Sequence, residues 1–110
     1  MAMTPEKKVK KKVVEQLDEL GCYWFYPATG GYGRSGVPDI VGCYKGKFFG
    51  FECKAGKNKP TLLQEKNLYH ILVNGGVSEV INEDNVHRVK QILEGIYHDP
   101  NQLELDFGII

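Results

Sequence analysis

The feature that most constrains this chain is a pair of strand-like runs, residues 37–44 (VPDIVGCY) and 47–54 (KFFGFECK), separated only by Lys45-Gly46. So short a connection predicts a hairpin, although Lys-Gly is a less specific turn than Asn-Gly. If the hairpin is symmetric about the Lys45-Gly46 bond, Tyr44 faces Lys47, Gly42 faces Phe49 and Asp39 faces Glu52; a bulge would shift that register. Side chains in a strand alternate, so Glu52 and Lys54 share one face while Phe51 and Cys53 share the other. One face suits a core and the other a cleft.

The flanking sequence supplies the layers. Residues 4–20 read as a helix: Thr4 caps it, Pro5 suits its first position and Gly21 ends it. Val9, Val13, Leu17 and Leu20 give it a buried stripe, flanked by Lys7, Lys8, Lys11 and Lys12. Residues 22–27 are aromatic-rich and strand-like, whereas 29–36 (TGGYGRSG) hold four glycines and read as a loop. After the hairpin come a basic loop at 55–59 and a second helix at 61–74, with Leu68, Ile71 and Leu72 on one face. Gly75-Gly76 stops that helix before a short strand at 77–81. A third helix, about 84–96, turns Val86, Val89, Leu93 and Ile96 inward. The order α-β-β-β-α-β-α predicts an α/β fold, a mixed β-sheet flanked by helices. One domain is expected over residues 1–98, with 99–110 as a C-terminal tail.

Composition narrows the classes. A chain of 110 residues suits one modest core, and 42% hydrophobic with 25% charged residues is ordinary for a folded soluble protein. No apolar run approaches the roughly 20 residues of a membrane span. The N-terminal lysines have no apolar signal segment behind them, so a cytoplasmic address is expected. Cys22, Cys43 and Cys53 are odd in number and lack paired metal-ligand spacing, so reduced, partly buried thiols are expected. His70, His87 and His98 are scattered rather than grouped as ligands. Net charge is zero, which argues against a protein that coats nucleic acid generally. Its distribution is uneven: residues 1–66 hold 12 Lys+Arg against 7 Asp+Glu, and 67–110 hold 2 against 7. Such asymmetry predicts one basic face for a polyanion, or simply solvated helix faces.

Two carboxylates placed side by side repel unless a positive charge lies between them. A divalent cation meets that need, since Mg²⁺ takes one or two carboxylates together with waters and phosphate oxygens. Held by Asp39 and Glu52, it would polarise a phosphodiester and acidify a coordinated water. Lys54 would orient or deprotonate that water, and the Cys53 backbone carbonyl would add a metal oxygen. The competing reading is a surface hairpin whose three charged groups form cross-strand ion pairs worth about 0.2–1 kcal/mol. Spacing alone leaves both open. The preceding loop favours the site: Pro38 tolerates a strand start, the glycines of 30–36 let a ligand approach the backbone, and Arg34 suits a phosphate.

Residues 33–64, GRSGVPDIVGCYKGKFFGFECKAGKNKPTLLQ, resemble the core signature of the VRR-NUC family within the PD-(D/E)XK nuclease superfamily. Pro38-Asp39 and Glu52-Cys53-Lys54 match its two motif halves, and the likeness runs from Thr4 to about Leu93. The resemblance implies a restriction-endonuclease-like core, Mg²⁺ or Mn²⁺ dependence and cleavage of DNA, with branched DNA as the substrate of small stand-alone members in bacteria and phage-infected cells. It also implies a first-helix glutamate at the metal. Glu6 matches best because it shares the inward stripe, and Glu15 lies off it; a favourable acid in the helix's first turn is the other account of Glu6. The resemblance places a glutamine after the E-x-K strand. Gln64 fills that position and would contact a phosphate or a metal-bound water, but Thr61-Leu62-Leu63-Gln64 also fits a capping box.

Lys57, Lys59 and Lys66 are expected to face phosphates with Arg34 and the first-helix lysines, setting affinity and salt dependence rather than sequence choice. Tyr32 either stacks on a base or packs. Residues 102–107 (QLELDF) resemble a bacterial sliding-clamp-binding peptide with Gln102 as its polar anchor; an apolar strand folded onto the domain or a partner subunit is the alternative. A homodimer is expected because one site cuts one strand, with residues 103–110 or Tyr23–Phe25 as its interface. The leading expectation is a metal-dependent DNA endonuclease. Its rivals are a catalytically silent DNA-binding module and a clamp-associated adaptor.

Overall fold

The structure is a computed structural model that describes residues 3–28, 33–95 and 102. Helix α1 (Pro5–Leu20) starts where Thr4 accepts a hydrogen bond from the Lys7 N–H, and it ends at Gly21, whose φ of 71° is left-handed. Strands β1 (Tyr23–Phe25), β2 (Ile40–Tyr44) and β3 (Lys47–Cys53) follow, then α2 (Leu62–Val73) and β4 (Val77–Ile81). A 3₁₀ turn at Val86–Arg88 leads into the short α3 (Val89–Leu93). This is the expected α/β order. No helix among the described residues is long and apolar enough to cross a membrane.

The sheet runs β1-β2-β3-β4, antiparallel except for the parallel β3–β4 pair that α2 connects. The β2–β3 register is the symmetric one, with Tyr44 opposite Lys47, Gly42 opposite Phe49 and Ile40 opposite Phe51. Alternation then sends Phe49, Phe51 and Cys53 into a core with Val9, Val13 and Leu17 of α1 and Val89 and Ile92 of α3. Gly42 makes that packing possible, because a Cβ there would run into the Tyr23 carbonyl and lie 2.6 Å from the Phe49 ring. On the opposite face α2 packs against Gly50, where a Cβ would lie 2.7 Å from Ile71.

Three local readings need correction. The third helix does not begin at 84: Asn82 Oδ1 accepts from the Asp84 N–H, and Asn85 Oδ1 accepts from the Asn82 N–H. These side chains compete for the first-turn donors and hold a turn instead. Gly95, at φ 75°, follows α3, and Ile96 lies outside the described residues. The second strand begins at Ile40 rather than residue 37, for a reason that belongs to the site below. Cys43 is exposed, because the register sets it between Tyr23 and Phe48 on a stretch of sheet where all three are exposed. All three cysteines are free, as expected.

Candidate metal centre and basic groove

Asp39 stands one residue before β2, and both its oxygens are engaged. Oδ2 accepts a hydrogen bond from the Cys53 N–H at 2.8 Å, while Oδ1 lies 3.6 Å from Lys10 Nζ. The carboxylate thus takes a strand donor at the open end of the hairpin, so the backbone ladder starts one residue later. The turn before it is clamped by α2. Gly36 has φ 75°, and a Cβ there would lie 2.6 Å from the Leu63 side chain. Asn67, buried, donates through Nδ2 to the Ser35 carbonyl at 3.2 Å and to the Leu63 carbonyl at 2.9 Å. Sequence reasoning passed over Asn67, although a polar residue beside Leu68 on the inward side of a helix was the available signal.

Glu52 is 2% exposed. A solvated surface pair would leave it open, so the surface-hairpin reading does not describe it. Lys54 Nζ lies 3.4 Å from Glu52 Oε2, which confirms that the two share a face. Glu52 Oε1 is buried and has no hydrogen-bond partner among the described residues. Burial first, then the charge of Asp39, pushes the Glu52 carboxyl from its ordinary 4.5 up to about 7, against the opposing pull of Lys54. Burial also raises the Cys53 thiol, reinforced by Asp39 and Glu52, which keeps it protonated. The Cys53 side chain is therefore core, and only its backbone faces the site.

A buried carboxylate oxygen with no donor is costly, and a hard cation would satisfy it. Among the described residues no three His, Cys, Asp or Glu side chains group closely enough to cage a metal. The donor set is the pair Asp39 and Glu52, which fits an ion that fills its remaining positions with water and phosphate. Glu6 is half-buried in the first turn of α1, and its charge, like that of Lys10, acts on the Cys53 thiol. Glu15 is exposed and lines a separate groove with Lys12, Gln16 and Glu83. Of the two glutamates, Glu6 is the one at the Asp39 end.

Asp39 opens into a groove of about 590 Å³ lined also by Lys7, Lys10, Lys11, Tyr26 and Pro38. Lys10 was not singled out from the sequence. The signal was there: it follows Glu6 by one helical turn and adjoins the buried Val9. The other expected phosphate contacts do not converge on this groove. Arg34 lines a second one with Phe25 and Phe48, Lys57 and Lys59 line a third beside β4, and Lys66 is exposed on α2. Tyr32 lies outside the described residues.

Gln64 completes the capping box. Its Oε1 accepts from the Thr61 N–H at 2.9 Å, and Thr61 Oγ1 accepts from the Gln64 N–H at 3.2 Å. Its geometry here is that of a cap. Of the tail motif only Gln102 is described. Its amide accepts from the Val80 N–H and donates to the Val80 carbonyl, both at 2.7 Å, closing the edge of β4 as a strand would. Residues 103–107 lie outside the described residues.

The arrangement places two carboxylates, one of them half-titrated near neutrality, beside a lysine and a groove lined by three more. It suits a cation and a phosphodiester. A family model described as archaeal Holliday junction resolvase (Hjc) matches residues 5–76. No curated protein matches the chain.

Proposed function

The chain belongs to the archaeal Holliday junction resolvase family, a nuclease family of the PD-(D/E)XK type, and from that premise we propose that it is a metal-dependent endonuclease that nicks branched DNA. The observation that carries the metal reading is Glu52 Oε1, buried without a partner beside a second carboxylate. Asp39 and Glu52 would hold Mg²⁺ or Mn²⁺, with the Cys53 carbonyl as a further oxygen; Glu6, in the first turn of α1, stands outside that donor set. The ion, when bound, supplies Lewis-acid polarisation of a phosphate oxygen and acidifies water. Lys54 orients the attacking water through Nζ and offsets charge gathering on the phosphate. Lys7, Lys10 and Lys11 bind the backbone on either side. Gln64 serves this reading indirectly, by starting the helix that clamps the Ser35-Gly36 turn.

The test is a nicking panel of four-way junction, flap and linear duplex with Mg²⁺, Mn²⁺ or EDTA. Four-way junctions are expected to be cut at least about tenfold faster than linear duplex, with ligatable 5′-phosphate products, and EDTA to stop all cutting. Salt-sensitive binding with no turnover in any metal would instead establish a silent binding module. The likeness of residues 33–64 to VRR-NUC members makes the flap arm informative about which branched form is preferred.

Two resolving cuts need two sites, and among the described residues an exposed apolar group is available for a second copy to bury. Tyr23, Phe25 and Phe48 are 70%, 46% and 48% exposed on the stretch of sheet beyond α2. A homodimer through this face predicts that sedimentation equilibrium finds a dimer and that Phe48→Glu makes it monomeric. A monomeric wild type rules it out. In the same instrument, purified bacterial clamp should co-sediment if residues 102–107 are its ligand, and Gln102 would first have to leave Val80. No complex would remove the clamp from the proposal.

A further inference from the structure

The proposed hydrolysis makes no use of Tyr26. Its ring lines the same groove as Asp39 and is 52% exposed. It is also held in place. Trp24 packs against it edge-on, with centroids 5.2 Å apart and planes at 77°, and Trp24 Nε1–H donates to Asp18 Oδ1 of α1 at 2.8 Å. The aromatic is thereby tied to the helix that carries Lys7, Lys10 and Lys11, which line the groove around it. Pro27, Val37 and Pro38 supply apolar wall between Tyr26 and Asp39.

Lysines with a rigid, half-exposed ring among them are the composition of a groove that follows one nucleic-acid strand: ammonium groups take phosphates and the ring takes a base face. A base inside a continuous duplex has both faces covered by its neighbours and offers none to Tyr26. At a branch point the stack is interrupted and a face is available. We propose that Tyr26 is a base-stacking residue that receives the unstacked nucleobase beside the scissile phosphate, so that the groove selects branched over linear DNA. This rests on the reading of Asp39 and Glu52 as the nuclease centre, and it identifies the substrate feature that centre recognises. The contact needs the ring and not the hydroxyl, so phenylalanine should serve and alanine should not.

The experiment uses the full chain and a four-way junction carrying 2-aminopurine at the nucleotides flanking the branch point, in EDTA so that nothing is cut. Stacking on Tyr26 quenches the probe, and Tyr26→Ala abolishes the quench while Tyr26→Phe keeps it. With Mg²⁺, Tyr26→Ala cuts the junction roughly 10–100-fold more slowly and loses junction preference over linear duplex, the scale of losing one stacked base. Thermal unfolding shows that both variants are folded. A quench and a junction preference unchanged in a folded Tyr26→Ala would overturn the proposal. A wild type that quenches the probe but cuts nothing in Mg²⁺ or Mn²⁺ would overturn the nuclease reading and still support the stacking site.

Discussion

Replacing Lys54 with alanine is expected to lower single-turnover nicking of a four-way junction by about 10³-fold while junction affinity stays within about threefold. The reason is position. Lys54 directly follows β3, its side chain is 15% exposed, and its Nζ lies 3.4 Å from Glu52 Oε2. On the proposed mechanism a group so placed would act on the phosphate where charge gathers, whereas Lys7, Lys10 and Lys11, which line the open groove, would grip the DNA backbone. Loss of Lys54 also removes the ammonium that opposes the raised Glu52 carboxyl. A small fall in unfolding temperature should therefore accompany the loss of rate, and circular dichroism will show whether the fold survives. Full activity in Lys54→Ala would remove the mechanism. Lys10→Ala makes a useful contrast, since its expected effect falls on binding and salt dependence.

Glu52→Gln is expected to abolish cleavage and, without metal, to stabilise the protein at pH 8 by up to about 3 kcal/mol, raising Tm by several degrees. Here the folded-state value, about 7, lies above the ordinary 4.5. The folded chain thus binds more protons than the unfolded chain between those values. Stability of the wild type then falls as pH rises from about 4.5 to 7 and is level beyond, apart from other groups. Glutamine cannot ionise, so the variant should lack that decline. Screening and relaxation make the figure an upper bound, because Lys54 lies within reach of the charge. Added Mn²⁺ should raise the wild-type Tm at pH 8 and leave Glu52→Gln nearly unmoved, because an ion bound only by the native state stabilises it. Parallel melting curves in EDTA at pH 5 and pH 8 decide the matter. A variant less stable than wild type at pH 8 would show that Glu52 is a satisfied structural carboxylate.

The two variants probe one design from opposite sides. On the proposed mechanism Lys54 serves rate and contributes modestly to stability, whereas Glu52 serves rate and costs stability until a cation arrives. Sites that hold charge in readiness for a ligand commonly destabilise the free protein. The neighbouring contacts fit that pattern. Asp39 is held by a backbone donor and by Lys10, while Glu52 keeps one buried oxygen without a donor.

Much of this was readable in the chain because it depends on neighbours in sequence. Thr4, Pro5 and Gly21 bound α1, and a two-residue connection sets the β2–β3 register as far as Ile40 opposite Phe51, which leaves Asp39 and Glu52 at the open end of the hairpin. Alternation alone separates Glu52 and Lys54 from the core residues Phe51 and Cys53. The capping box likewise lies within four residues. Contacts between distant elements had no such local signature. Lys10 meets Asp39 across the packing of α1 on the sheet, Asn67 grips the Ser35 carbonyl across 32 positions, and Gln102 covers Val80 across 22. The third helix was misplaced because Asn82 and Asn85 use their side chains on the backbone, and periodicity does not register that competition.

The opening hairpin shows where the division falls. By itself the sequence determined that Asp39, Glu52 and Lys54 gather at the open end of the β2–β3 hairpin, because strand geometry has period two and the short turn sets the register. Only the tertiary structure decided that Glu52 is buried with an oxygen unsatisfied, and that Lys10 and Tyr26 complete the groove. Burial and electrostatic environment are sums over everything packed around a group, and α1, α2 and β4 reach these strands from far along the chain.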